Sequence, residues 1–325
     1  MLNVGLIGLG RIVQEGYIPA IVNNPHFKLH SFTTRNSHEE GKIIAQTYGA
    51  CYFTNLNHML IADDIDVIII ASHAVCHYQN LLKCLSHKQT ILVEKPLVTT
   101  RHDLEQLQSI PLANQYIYTS FQRRFSPFVR KAKHLLTTKQ LGRIIDVICY
   151  DLHSKNSAYY ARKKNGALDG GGVLINQAIH SIDLLRYFFG DFQDIKHCEL
   201  HNDFFGIGVE DSVHLEATMK TGERVSYFAT TGSHLDNMYE IHILGTRGSA
   251  VINNHGITTR YLDATNHSVT YQENGSLELS QLLSSQLDSL YQAITTSEKA
   301  EICSFGESAN VLDFVLQIYE KSVQR

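Results

Sequence analysis

Val4-Gly5-Leu6-Ile7-Gly8-Leu9-Gly10-Arg11-Ile12-Val13 decides how this 325-residue chain folds. A short apolar run enters a glycine turn. Apolar Ile18, Ala20 and Ile21 then predict a helix that breaks near Asn23-Asn24-Pro25. Strand, tight turn and helix in that order bring unpaired helix N–H groups to a strand end, which suits an anion such as a pyrophosphate. Gly8 and Gly10 supply the turn and the close backbone approach. Val13 stands where a third glycine would be, so helix–strand packing must be solved differently.

The alternation continues. A strand over 28–33 ends in Thr33-Thr34-Arg35-Asn36. An NAD site usually presents an acid there to the ribose 2′-hydroxyl, whereas hydroxyls and an arginine suit a 2′-phosphate, so Thr34 and Arg35 favour NADP over NAD. Helices over 39–48 and 56–62 flank a short strand at 50–53. The continuous apolar run 66–72 reads as a strand covered on both faces, with Ser72 and His77 at its ligand edge. Thr90-Ile91-Leu92-Val93-Glu94-Lys95-Pro96-Leu97 is the next strand, and it delivers an acid and a base to the edge where open α/β sheets hold ligands. A lysine desolvated there suits proton transfer, while the same lysine in isolation is a solvated strand end. Thr100 and Asp103 form a capping box for a helix reaching about residue 110, and 116–120 is a further strand. These elements predict an α/β, doubly wound parallel sheet over residues 1–120.

Composition excludes several classes. The formal net charge of −4 gives no electrostatic reason to expect nucleic acid. The longest apolar run, 67–71, is far short of a membrane span. Six cysteines form no C-x-x-C pair, and eighteen histidines form no metal-binding spacing, so no metal is expected and a reduced, cytoplasmic setting fits.

From residue 121 the character changes, and residues 121–325 are expected to form an α+β domain. Gln122-Arg123-Arg124-Phe125 precedes Ser126-Pro127, an N-cap and N1 pair for a helix carrying Phe128, Ala132, Leu135 and Leu136. A strand over 144–152 leads to a polar, aromatic and basic loop at 159–165. Tyr160 and Arg162 of that loop are candidate substrate contacts. Arg162 with Lys163 and Lys164, and Arg123, would meet a phosphate or carboxylate, unless that loop is simply solvated. Gly170-Gly171-Gly172 then opens a helix whose apolar face is Leu174, Ala178, Ile182 and Leu185. Asn176, His180 and Asp183 recur at i, i+4 and i+7 on another stripe. Buried polar groups there need partners, and a lone histidine on such a helix is ordinarily a satisfied core residue. The triple glycine, which permits close approach of a ligand or backbone, shifts the reading toward a site. Alternation around Thr221-Gly222 and Gly245-Thr246-Arg247-Gly248 predicts a large, open, mostly antiparallel sheet with helices on one face. Its other face is a candidate surface for a homodimer or homotetramer. The last helix opens at a Ser304/Glu307 capping box and has the option of packing back on the first domain.

Gly5-Leu6-Ile7-Gly8-Leu9-Gly10, Glu94-Lys95-Pro96, Gln122-Arg123-Arg124-Phe125 and the stretch 170–183 together resemble the glucose-fructose oxidoreductase/inositol dehydrogenase/MocA (Gfo/Idh/MocA) family, in order and spacing over nearly the whole chain. The resemblance implies an N-terminal Rossmann domain, a C-terminal domain with an open sheet, and pyridine-nucleotide chemistry on sugars, sugar nucleotides or polyols. It implies that Gly8, Gly10, Arg11 and Ile12 hold a pyrophosphate, Thr34 and Arg35 the adenosine end, and Ser72, His77, Glu94, Lys95 and Gln122 the nicotinamide side. It implies Lys95 and His180 as the catalytic pair, with the choice of base open, and Asn176 as a residue that orients substrate, beside the candidate substrate residues Arg123, Tyr160, Arg162 and Asp183 read from the chain itself. Asn176 replaces the family's usual aspartate, and asparagine cannot take a proton, so it orients by hydrogen bonds alone. An NAD-dependent glycosidase and a catalytically silent nucleotide sensor are the rival readings on the same fold.

Overall fold

The computed structural model describes residues 1–35, 38–62, 64–156, 159–160, 171–206, 208–235, 237–262, 267–275, 278–296 and 300–323. The chain divides into two compact units, one of Met1–Gln122 with Glu278–Ala309, the other of Arg123–Leu277 with Asn310–Arg325. The division differs from a simple cut at 120/121, because residues 278–309 join the first unit. The reason is local packing. The helix Leu279–Thr295 lies on the first helical segment, where a Cβ added to Gly16 would come within 2.6 Å of Leu283 Cδ1.

The first unit carries β1 (Leu2–Ile7), β2 (Phe27–Thr33), β3 (Cys51–Phe53), β4 (Val67–Ile70), β5 (Thr90–Glu94) and β6 (Ile117–Ser120). All six are parallel in the order β6-β5-β4-β1-β2-β3, and the two-residue β15 (Cys303–Ser304) adds antiparallel to β6. This is a Rossmann-like sheet. Every residue of β4 is buried, the signature of a strand covered on both faces. The chain order reverses between β1 and β4, the place where open parallel sheets bind their ligands. Helices α1 (Ile18–Val22), α2 (His38–Tyr48), α3 (Leu56–Ala62), α4 (His77–Leu85), α5 (Arg101–Gln108) and α6 (Pro111–Tyr116) connect the strands. Thr100 caps α5 by accepting from the Asp103 N–H at 3.1 Å. Helix α5 ends at Gln108, short of the expected residue 110, and a separate α6 follows, which Pro111 starts by fitting the first helical position. The first helix begins with a wide π-helical stretch, Val13–Tyr17, which inserts one residue relative to α geometry.

The second unit is α+β. Helix α7 (Pro127–Thr137) has Pro127 at its start, although Ser126 makes no side-chain cap bond. An eight-stranded sheet runs β14-β13-β12-β11-β7-β10-β9-β8, antiparallel except for the β7/β10 pair. Its strands are β7 (Ile144–Leu152), β8 (Phe192–His201), β9 (Ser212–Met219), β10 (Arg224–Thr230), β11 (Met238–Gly245), β12 (Gly248–Asn253), β13 (Gly256–Leu262) and β14 (Ser268–Asn274). Val225, Tyr227 and Ala229 of β10 are buried under α8 (Ile179–Phe189), with Tyr227 Oη donating to Ala178 O at 3.3 Å. Arg224, Ser226 and Phe228 point to the other face. Strand β8 escaped the sequence reading because charged residues and two register shifts break its alternation. Helices α9 (Leu279–Thr295) and α10 (Phe305–Val323) close the chain, the latter with reciprocal Ser304/Glu307 capping bonds. Among the described residues no helix is long and apolar enough to cross a membrane.

Candidate active site

The first unit gathers its candidate residues along the C-terminal edge of the parallel sheet. Gly8 has φ +111°, and a Cβ there would sit 2.5 Å from Ala71 O, so the turn after β1 is pressed against the end of β4. Its N–H donates to Thr33 O at 2.9 Å. A Cβ on Gly10 would meet nothing within 4 Å, which leaves open space over the turn for a ligand's backbone-bound phosphates. Arg11 is solvent-exposed and paired with Glu15 one helical turn on, and Ile12 is half-buried. At the end of β2, Thr34 is buried and Arg35 exposed, with Asn36 outside the described residues.

After β4, Ser72 Oγ accepts from Asn80 Nδ2 at 3.0 Å. His77, expected on the nicotinamide side, is held by the backbone. It is buried, with Nδ1 2.8 Å from Pro96 O and Nε2 3.1 Å from Ser72 O. It therefore ties the segments after β4 and β5 together from beneath. Burial lowers its pKa, against the pull of the two carbonyls. Glu94 is the buried last residue of β5, and half-buried Lys95 follows it at the sheet edge. Burial raises the Glu94 pKa, opposed first by the Lys95 charge and then by the Tyr17 hydroxyl. After β6, Gln122 Oε1 is buried with no hydrogen-bond partner among the described residues. An open glycine turn, a helix start beyond it and an orphaned amide oxygen at the same sheet edge fit a dinucleotide.

In the second unit the polar stripe is reorganised. Residues Leu174–Ala178 form a π-helical stretch that passes into α8, so Asn176 lies in the wide turn and His180 and Asp183 in the α-helix. Asn176 is half-exposed, its Nδ2 3.3 Å from Tyr159 Oη. The Gln177 amide donates to the same hydroxyl at 2.8 Å. His180 is 8% exposed. Asp183, expected on the substrate side, is engaged within the protein. It is fully buried, and both its oxygens accept from Arg124, at 2.8 and 2.6 Å. Arg123 faces a second buried carboxylate. Its guanidinium lies 3.0 Å from Ser181 Oγ and 3.5 Å from Asp151 Oδ2, and stacks over the Tyr239 ring at 4.4 Å. Burial pushes the Asp151 pKa up, but the Arg123 charge and bonds from His153 and Ser181 outweigh it and leave it lowered. Tyr160 is likewise turned inward, its hydroxyl bonded to Thr231 and its ring against Phe205. Arg162 lies outside the described residues.

Gly171 and Gly172 are closely approached by the protein itself, and Gly170 lies outside the described residues. Gly171 has φ +69°, and a Cβ on Gly172 would come within 2.1 Å of Glu210 O. Glu210 closes the helix start. Its main-chain oxygen accepts from Val173 N–H at 3.0 Å and its carboxylate from Leu174 N–H at 3.0 Å and Tyr319 Oη at 2.7 Å. Of the residues that hold this stretch in place, Tyr159 opens the loop marked as aromatic and Arg124 belongs to the Gln122-Arg123-Arg124-Phe125 motif, whereas Glu210 carries no local signal.

Residues 2–119 match the NAD-binding Rossmann-fold domain of the Gfo/Idh/MocA oxidoreductases, and residues 129–251 match that family's C-terminal domain. The chain belongs to the Gfo/Idh/MocA family. It is accordingly an NAD-binding oxidoreductase by family. It is 26% identical over 293 residues to Oxidoreductase P35 of Formosa agariphila, covering 85% of this chain and 84% of that protein. Its fold is shared with levoglucosan dehydrogenase solved with NADH and levoglucosan (TM-score 0.87, 19% identity, 99% of this chain and 97% of that one). The WlbA dehydrogenase of Bordetella pertussis, solved with NADH and UDP-GlcNAcA, is similar at TM-score 0.83 and 20% identity, over 99% of this chain and 97% of that one.

Proposed function

We propose that this protein interconverts a hydroxyl and a keto carbon on a sugar, sugar nucleotide or polyol, with NADP preferred over NAD. Buried Glu94 beside half-buried Lys95, at the edge of a parallel sheet whose first turn is an open glycine cradle, carries this reading. A bound nicotinamide dinucleotide supplies the two-electron acceptor or donor. Lys95 orients the substrate oxygen and stabilises the negative charge that develops on it. His180 takes the hydroxyl proton in oxidation and returns it in reduction. Asn176, freed from Tyr159, hydrogen-bonds a substrate hydroxyl, and Arg123 offers a cation to an acidic substituent. The absence of an acid in Thr33-Thr34-Arg35 supports NADP.

The open face of the second unit's sheet supports self-association of two copies. Its cross-strand row Glu240-Tyr150-Phe228-His214-Glu199 sets aromatic residues between acids, with His242 beside Tyr150. Light scattering is expected to show a dimer or tetramer, and a monomer at micromolar concentration would refute that part.

The test of function is nucleotide binding together with turnover on a panel of sugars, polyols and UDP-sugars. Tighter binding of NADPH than NADH and turnover on one of these classes are expected. Nucleotide binding with no turnover across the panel would make the protein a sensor. A tightly held cofactor with release of an aglycone would make it a glycosidase.

A further inference from the structure

Behind Glu94 lies a buried polar chain that the proposed chemistry does not use. Tyr17 is 0% exposed and ends the π-helical stretch that follows the glycine turn. Its hydroxyl oxygen lies 2.8 Å from Glu94 Oε1 and 2.9 Å from Ser120 Oγ. Ser120 in turn lies 3.1 Å from Gln286 Nε2, brought in by α9. All four side chains are buried.

Proton counting fixes the direction at Glu94. Tyr17 has one hydroxyl proton, and an ionised Glu94 can only accept. Tyr17 therefore donates to Glu94, and the Gln286 amide donates to Ser120, whose single proton is shared among Tyr17, Glu94 and Gln286 Oε1. The Tyr17 dipole thus points its positive end at the carboxylate. The wide π turn, packed under α9 with Gly16 against Leu283 and Leu279, carries Tyr17 to this position.

We propose that Tyr17 is a positioning residue for Lys95: by donating to Glu94 it keeps a carboxylate, and not a neutral acid, against the candidate catalytic lysine. This rests on the reading of Lys95 given above. Burial works against the charged form of Glu94, so without the donor the carboxyl takes a proton more readily. The titratable groups that act on Glu94 are Tyr17 and Lys95, with His77 reaching the same turn through Pro96 O. Tyr17 itself stays neutral, since burial and then the Glu94 charge hold its pKa well above the ordinary tyrosine value. Ionised Glu94 keeps Lys95 a cation that grips the substrate oxygen. Protonation of Glu94 turns the chain around, and the Gln286 amide tolerates this because its Oε1 also lies 3.3 Å from Ser120 Oγ.

The test titrates Glu94 directly. Protein labelled with carbon-13 at the glutamate carboxyl is followed by NMR without cofactor or substrate, Glu94 being the signal lost in Glu94→Gln. A hydrogen bond to a charged group is worth enough to move a carboxyl by about one to two pH units. Tyr17→Phe is therefore expected to raise the Glu94 midpoint by that amount, and to move the acid limb of the kcat/KM profile upward in parallel. Ser120→Ala, a smaller change that preserves folding if Tyr17→Phe does not, is expected to move both in the same direction by less. An unmoved midpoint in a folded variant would overturn the proposal, as would a moved midpoint with an unmoved acid limb. Wild-type turnover in Lys95→Ala would instead overturn the reading of the site, because the carbon titration reads the Tyr17–Glu94 link without turnover.

Discussion

The strand end at Glu94-Lys95 and the helix face of Asn176, His180 and Asp183 both offer ionisable groups, but the two regions place them by different rules. In the first unit, location follows from topology. Any residue just past the C-terminal end of a strand in a parallel sheet arrives at the ligand edge, whatever its side chain bonds to. In the second, three residues share a helix stripe, yet neighbours from elsewhere decide which of them faces outward. Arg124 claims Asp183, Tyr159 holds Asn176, and Glu210 fills the space beside Gly172. A strand terminus thus announces a site from its own sequence, whereas a helix stripe announces only candidates.

The sharpest way to break this comparison is at Asp183. If its place is an internal ion pair, Asp183→Asn leaves the Arg124 charge buried with half its partner and lowers stability by about 3–5 kcal/mol. Chemical denaturation measures it. A variant with unchanged stability and a large loss of turnover would return Asp183 to the substrate side. A smaller effect is expected at Gly172. Adding one methyl forces Glu210 and the helix start apart, which costs about 1–3 kcal/mol by thermal or denaturant melting. An unchanged melting curve together with weakened substrate binding would show that the glycine makes room for ligand and not for Glu210.

The same contrast governs what could be read in advance. The alternation of strands and helices, the glycine turn, the Thr100 and Ser304 caps and the strand ends at Ser72, Glu94 and Gln122 are local patterns, and their elements lie where the patterns put them. What the sequence hid is non-local. Two π-helical stretches, Val13–Tyr17 and Leu174–Ala178, add a residue without any composition signal and shift the faces that follow. Nothing in the local pattern marks Tyr17, yet its hydroxyl meets a carboxylate 77 residues away. His77 stood at the right edge but turned inward, because two backbone carbonyls lay within reach of its ring. Tyr160, in a loop marked as polar, turned inward to Thr231. Long-range partnering of buried polar groups is obligatory but unspecified by spacing.

In the proposed reaction Lys95 acts on the reacting oxygen and not on the fold or the cofactor alone. Lys95→Ala, assayed on a substrate found in the sugar panel with cofactor affinity measured beside it, tests this most directly. Turnover is predicted to fall by about 1,000-fold, within the span attributed to acid–base and electrostatic groups, while the nucleotide dissociation constant stays within a few-fold. Wild-type turnover in that variant would contradict the account.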